Sequence, residues 1–163
     1  GYYDLRLPDV RQKQAQLAKE AGVSAFCYYH YWFGNGRQLL EMPLREVVRT
    51  KSPDFPFCIC WANHTWYKKM WSAEHNMLDM QAIMPQEYPG KEDWYQHFYS
   101  LLDTFKDERY YRIDGRLVFV LYHVADIPNA AEYMQYWQEL AAKEGLGGFY
   151  FISYIFFFIA TTA

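Results

Sequence analysis

Ala25-Phe26-Cys27-Tyr28-Tyr29-His30-Tyr31-Trp32-Phe33 is the stretch from which the rest of the chain is read. Residues 23–31 form a dense apolar run, which fits a strand buried on both faces, the kind that parallel sheets contain. Before it, Pro8 suits the first turn of a helix. Val10, Leu17, Ala18 and Ala21 then mark an apolar face among Arg11, Gln12, Lys13, Lys19 and Glu20, and Gly22 stops the helix. After it, Leu44, Val47 and Val48 mark a short helix behind Pro43, and residues 55–61 read as a second buried strand.

A stretch of irregular sequence follows from about residue 62 to residue 90, and its length points to function rather than to a plain connection. Trp94, Phe98, Leu101, Leu102 and Phe105 fall at helical spacing. Asp114-Gly115 predicts a tight turn before a third strand over residues 117–122. Asn129 with Glu132 three residues on predicts a capping box for a helix whose stripe is Tyr133, Trp137, Leu140 and Ala141. Gly145 ends that helix and Phe149 opens a fourth strand. Helices alternating with apolar strands predict an α/β fold, a parallel sheet covered by helices. Four strands are too few for a whole (β/α)8 barrel, which takes ~250 residues. The expectation is one incomplete domain over residues 1–163, about four βα units of such a barrel.

Composition narrows the function. With 16 Lys+Arg against 19 Asp+Glu the formal charge is -3, so there is no basic footprint for nucleic acid. The tail over residues 149–160 is almost wholly apolar but short of the ~20 residues of a membrane helix. Cys27, Cys58 and Cys60 are too few for a disulfide framework and read as buried thiols of a reduced compartment. No signal-peptide pattern opens the chain, and a cytoplasmic setting is expected. The 16 Tyr, 12 Phe and 6 Trp exceed what a core ordinarily uses, because Tyr and Trp carry polar tips that want partners. Either a surface stacks on something flat or the interior is unusually aromatic.

In parallel α/β folds, ligands bind beyond the carboxyl ends of the strands. Just after the apolar runs stand His30, Tyr31, Trp32 and Phe33, then Trp61, Asn63, His64 and Trp66, then Tyr122 and His123. Indole faces stack on the C–H face of a pyranose, while amides, imidazoles and phenols bond its hydroxyls. The candidate sugar subsite is therefore His30, Trp32, Trp61, Asn63, His64, Trp66 and Tyr122. The competing reading makes the aromatics core fillers, with no site. Gly34-Asn35-Gly36-Arg37 reads as a turn rather than a phosphate loop. His64 and His75 lack a third ligand for zinc, so neither metal nor cofactor is expected. Glu41, Glu74, Asp79 and Asp126 are the carboxylates near the presumed rim, Glu41 the first among them.

Several motifs carry a resemblance. Tyr2-Tyr3-Asp4-Leu5-Arg6-Leu7-Pro8, Ala25 to Phe33 as quoted above, Pro56-Phe57-Cys58-Ile59-Cys60-Trp61-Ala62-Asn63 and Tyr111-Arg112-Ile113-Asp114-Gly115 resemble, in order and spacing, the WbsX-like polysaccharide-biosynthesis proteins. That bacterial family is related to glycoside hydrolase family 99, and the match runs from Gly1 to about residue 150. The resemblance implies a (β/α)8 barrel acting on glycans, by transfer or by hydrolysis, of which this chain is an N-terminal portion. It implies that the catalytic carboxylates lie in a later part, so no catalytic residue is carried over. His64-Thr65-Trp66 stands where the commoner family residue is a glutamate, and Leu117 where proline is usual. The expected partner is a glycan bound by part of a glycosyl-transferring enzyme. The rivals are a family-99-like hydrolase and a non-catalytic carbohydrate-binding domain.

Overall fold

A computed structural model describes residues 3–72 and 77–154. Its elements in chain order are α1 (Pro8–Glu20), β1 (Phe26–Trp32), β2 (Gln38–Leu39), α2 (Met42–Thr50), β3 (Phe57–Trp61), β4 (Trp66–Ser72), β5 (Met77–Met84), α3 (Lys91–Ser100), α4 (Leu102–Phe105), β6 (Arg112–Ile113), β7 (Arg116–Leu121), α5 (Ala130–Lys143) and β8 (Phe149–Ser153). β1, β3, β7 and β8 lie side by side in that order, each parallel to the next. This is the mixed α/β architecture with a mainly parallel sheet that the alternation predicts. β2 and β6 add short antiparallel margins, and among the described residues the sheet stays open. The apolar tail beyond residue 154, with Glu74 and His75, lies outside the described residues.

Strand alternation divides the sheet into two faces. Phe26, Tyr28, His30 and Trp32 of β1 share one face with Phe57, Ile59 and Trp61 of β3, Leu117, Phe119 and Leu121 of β7, and Phe149 of β8. Helices α3 and α5 cover that face. The stripe Tyr133, Trp137, Leu140 and Ala141 is the buried side of α5, as its spacing predicts. The Trp137 ring lies 4.9 Å from Phe119 and 5.4 Å from Phe149, and Phe98 of α3 packs edge-on at 5.6 Å. The other face carries Cys27, Tyr29, Tyr31, Cys58, Cys60, Val118, Val120, Tyr150 and Ile152.

Several local expectations meet a different outcome. β1 is not buried on both faces: Cys27 and Tyr29 are exposed while His30 and Trp32 are buried. One thiol of the three is therefore not a buried one. In α1 the apolar face gives way to Arg11 and Ala15 as the buried residues, and Leu17 faces solvent. Arg11 buries because its Nη1 caps the carbonyls of Leu5 and Arg6, at 2.8 and 3.0 Å, turning the N-terminal segment back onto the helix. The capping box at Asn129 does not form. That residue takes a left-handed conformation, φ +54°, and its side chain caps nothing.

The irregular stretch contains an antiparallel hairpin, β4–β5, with a register shift at Trp66/Tyr67. Gly34-Asn35-Gly36-Arg37 is a turn, as expected. Gly34 is held at φ +87°, where an added Cβ would meet the Glu87 carbonyl oxygen at 2.7 Å. Asp114 and Gly115, at φ +50° and +76°, supply the two positive-φ positions of a tight β6–β7 hairpin.

Candidate functional site at the strand exits

The exits of the parallel strands share one edge. Ala62 N donates to the His30 carbonyl at 2.9 Å, Tyr122 N to the Trp61 carbonyl at 3.1 Å, and Tyr154 N to the Leu121 carbonyl at 3.3 Å. Asn63 locks this edge. Its Oδ1 accepts the His123 N–H at 2.8 Å, while its Nδ2 donates to the His123 carbonyl at 2.8 Å and to Tyr88 Oη at 2.9 Å. Tyr88 donates back to the Asn63 carbonyl at 3.2 Å. Asn63 is fully buried, and its amide is committed to joining the β3 and β7 exits.

His30, Trp32 and Trp61 belong to the helix-covered side, none of them more than 3% exposed. His30 Nε2 lies 3.0 Å from His97 Nε2 of α3, so the two rings share one hydrogen. Trp32 stacks flat on His97, 4.8 Å between centroids with 4° between planes, and Trp61 and Trp137 meet it edge-on. Each indole N–H finds an acceptor: Trp32 on Asp93 Oδ2, Trp61 on the Trp32 carbonyl, Trp137 on the Trp94 carbonyl. Burial lowers His30 to about 4 and drives His97 well below the ordinary imidazole value, so both are neutral at pH 7. These residues build the layer beneath the rim.

Above them runs a chain of rings reached from the other face. Trp66, the first residue of β4, packs edge-on against Phe33 at 5.3 Å and Tyr31 at 5.1 Å. Tyr31 stacks with Tyr29 at 6.3 Å, and Tyr29 meets Tyr122 at 6.1 Å. Around Tyr122 stand His123 at 4.7 Å, His64 at 5.5 Å and Tyr154 at 5.7 Å. Tyr29 and Tyr154 are 53% and 50% exposed, and Tyr31, His64, Trp66, Tyr122 and His123 are half-buried. Burial raises the Tyr29 and Tyr31 hydroxyls, which keeps them as donors at neutral pH. Burial, with His123 beside it, lowers His64, leaving an imidazole that both donates and accepts. His123 Nδ1 sits 3.8 Å from Asp126 Oδ2.

Of the seven sequence-selected residues, the structure brings His64, Trp66 and Tyr122 to the accessible rim and places His30, Trp32, Trp61 and Asn63 beneath it. Tyr29, Tyr31 and Tyr154 join the rim without having been selected: Tyr29 and Tyr31 alternate with His30 and Trp32 along β1, and Tyr154 follows β8. Glu41 is not at the rim. It precedes α2 and lines a cavity of about 640 Å³ on the helix side, with His30, Arg45, Asp103 and Thr104. That cavity offers no flat aromatic wall beyond the edge of His30, whereas the rim does. Asp126 is at the rim, and Asp79 is described only by its backbone in β5. Among the described residues no group of three His, Cys, Asp or Glu is placed to hold a metal ion. None of their helices is long and apolar enough to cross a membrane.

Comparison with known proteins adds to this geometry. Two curated proteins, both named uncharacterized protein WxcX and both from Xanthomonas campestris pv. campestris (strain B100 and a second strain), are 33% identical over 147 residues. The alignment takes in 90% of this chain and 20% of each relative, so the chain spans about a fifth of the length of the curated relatives it matches. No solved structure matches. The family model described as glycosyltransferase WbsX matches residues 1–161, nearly the whole chain with all four strand exits, and the chain belongs to that family.

Proposed function

We propose that this chain is the sugar-holding part of a carbohydrate-active enzyme that transfers glycosyl groups in polysaccharide assembly. The four parallel strands serve as one arc of a (β/α)8-type sheet. The observation that supports it is the unbroken run of rings from Trp66 through Tyr31, Tyr29 and Tyr122 to His64 and Tyr154, on strand exits bound edge to edge. A pyranose lies on such a surface by its C–H face, and the phenol and imidazole groups take its hydroxyls. The buried Asn63–His123–Tyr88 lock and the His30–His97 layer hold the rings in place, so little ordering is left to binding. Membership in the glycosyltransferase WbsX family supports a saccharide over another flat ligand.

The test is direct binding of the 163-residue chain to an array of neutral and acidic oligosaccharides. Trp66→Ala and Tyr122→Ala are expected to lose binding while the melting temperature holds. Loss of the melting temperature with binding intact would place these rings in the core and remove the proposal.

A further inference from the structure

The cavity of about 640 Å³ between α2 and α4 has no part in the rim. Small-molecule sites have volumes of this order, ~300–1,000 Å³. One wall is α2 and the other is the end of α3 with α4, and every residue lining it falls between His30 and Thr104. Its floor is buried. Leu44 and Leu101 lie there with the half-buried Val48, and His30 and Thr104 among them are each more than nine-tenths buried. Buried polar groups ordinarily have a partner. His30 uses its Nε2 on His97, 3.0 Å away, but its Nδ1 makes no hydrogen bond among the described residues, and neither does the Thr104 hydroxyl.

The mouth is charged, with both signs present. Arg45 stands on the α2 wall and Asp103 on the α4 wall, with Glu41 at the N-terminal end of α2. None of the three makes an ion pair or a side-chain hydrogen bond among the described residues. Arg49, one turn beyond Arg45, is by contrast held by Glu46 through bonds of 2.9 and 2.8 Å. A simple carboxylate on Arg45 would leave Asp103 and Glu41 against it, and a simple amine on the acids would leave Arg45 against it. No three ligating groups are placed to hold a metal ion among the described residues, and a saccharide has no flat wall to stack on here. A small zwitterion answers both walls at once, and such charge-assisted hydrogen bonds are the strong ones. The floor carries no charge, so what enters it is uncharged.

We propose that this cavity binds a free α-amino acid with an uncharged side chain. Its carboxylate takes the Arg45 guanidinium, and its ammonium donates to the carboxylates of Asp103 and Glu41. Its side chain lies on Leu44, Val48 and Leu101, where His30 Nδ1 and the Thr104 hydroxyl meet a hydroxyl or amide at its end. The site is separate from the rim and does not depend on the rim's receiving a saccharide.

The experiment titrates the 163-residue chain with serine, threonine, asparagine, glutamine, valine, leucine and methionine, one at a time, and follows side-chain NMR signals. The tightest of them is expected to bind with a dissociation constant of about 1 mM or below. It should shift the His30 ring and the Leu44, Val48 and Leu101 methyls and leave Tyr29, Trp66 and Tyr122 unmoved. Its N-acetyl form, which lacks the ammonium, and its amide form, which lacks the carboxylate, are each expected to bind about tenfold more weakly. Arg45→Gln and Asp103→Asn are expected to weaken binding of the free amino acid by about the same factor. Both residues are exposed, so the melting temperature should hold. No shift from any of the seven at about 10 mM would overturn the proposal and leave the cavity to water. So would equal binding of the blocked forms, or variants that bind as the natural sequence does. The blocked forms are tested on the natural sequence, so they decide the matter even if a variant does not fold.

Discussion

The two faces of one sheet have been given different work. On the helix-covered face, Trp32, Trp61 and Trp137 surround the His30–His97 pair, and their indole N–H groups are turned inward onto Asp93 and backbone carbonyls. On the other face and at its rim, Tyr29, Tyr31, Trp66, Tyr122 and Tyr154 keep their rings in reach of solvent. Both faces are aromatic, so composition does not separate them. What separates them is exposure: Trp32, Trp61 and Trp137 are at most 2% exposed, whereas the rings at the rim are half-buried or exposed and so can meet a ligand.

The largest break in this contrast should come from Trp137→Ala. It opens a cavity beneath Phe119, Phe149 and Tyr133 and is expected to cost about 3–5 kcal/mol, read as a lower urea midpoint. Next is Asn63→Ala. It leaves the His123 N–H and carbonyl without their buried partner and should cost about 1–3 kcal/mol, with sugar binding falling in proportion to the unfolding of the rim. If Asn63→Ala abolished binding at full stability, the residue would touch the ligand, and the division between lock and rim would need redrawing.

The His30–His97 pair sharpens the contrast through pH. Burial depresses the folded-state value of His30 to about 4, below its unfolded value near 6.5. The unfolded chain therefore binds more protons in that window. The stabilisation is whole above pH 6.5 and is lost as the pH falls toward 4, about 3 kcal/mol from His30 alone. Unfolding free energy measured from pH 7 to pH 4 should slope downward, and His30→Phe should flatten the slope. A pH-independent wild type would mean the pair is not buried neutral.

Trp66→Ala and Tyr122→Ala should have the smallest effect on stability, within about 1 kcal/mol, because both rings are half-buried at the edge. Their effect on oligosaccharide affinity should be about tenfold each, as for a lost stacking partner.

Much of the scaffold was legible because its elements follow single rules. The stripe Tyr133, Trp137, Leu140 and Ala141 has the helical period, and Phe57–Trp61 is apolar at every position and buried at every position. The faces of β1 were not legible. Phe26-Cys27-Tyr28-Tyr29-His30-Tyr31-Trp32 has no polar–apolar alternation, and tyrosine suits either side, so nothing local tells that His30 goes in and Tyr29 goes out. His97 was hidden for a related reason. It lies on the Trp94–Phe98–Leu101 stripe, where its partner is set only by the β1 register. The β4–β5 hairpin was missed because Trp66-Tyr67-Lys68-Lys69-Met70-Trp71 carries no period-two pattern.

In the proposed function the tyrosine side of the strand exits, and not the tryptophan side beneath it, receives the saccharide. Aromatic-ring NMR shifts of the chain, followed while it is titrated with an oligosaccharide chosen from the array, test this directly. The expected result is perturbation of Tyr29, Tyr31, Trp66, Tyr122 and Tyr154, with Trp32, Trp61 and Trp137 unmoved. Shifts concentrated on the tryptophan side, or at the His30 and Glu41 cavity, with the tyrosines silent, would contradict it.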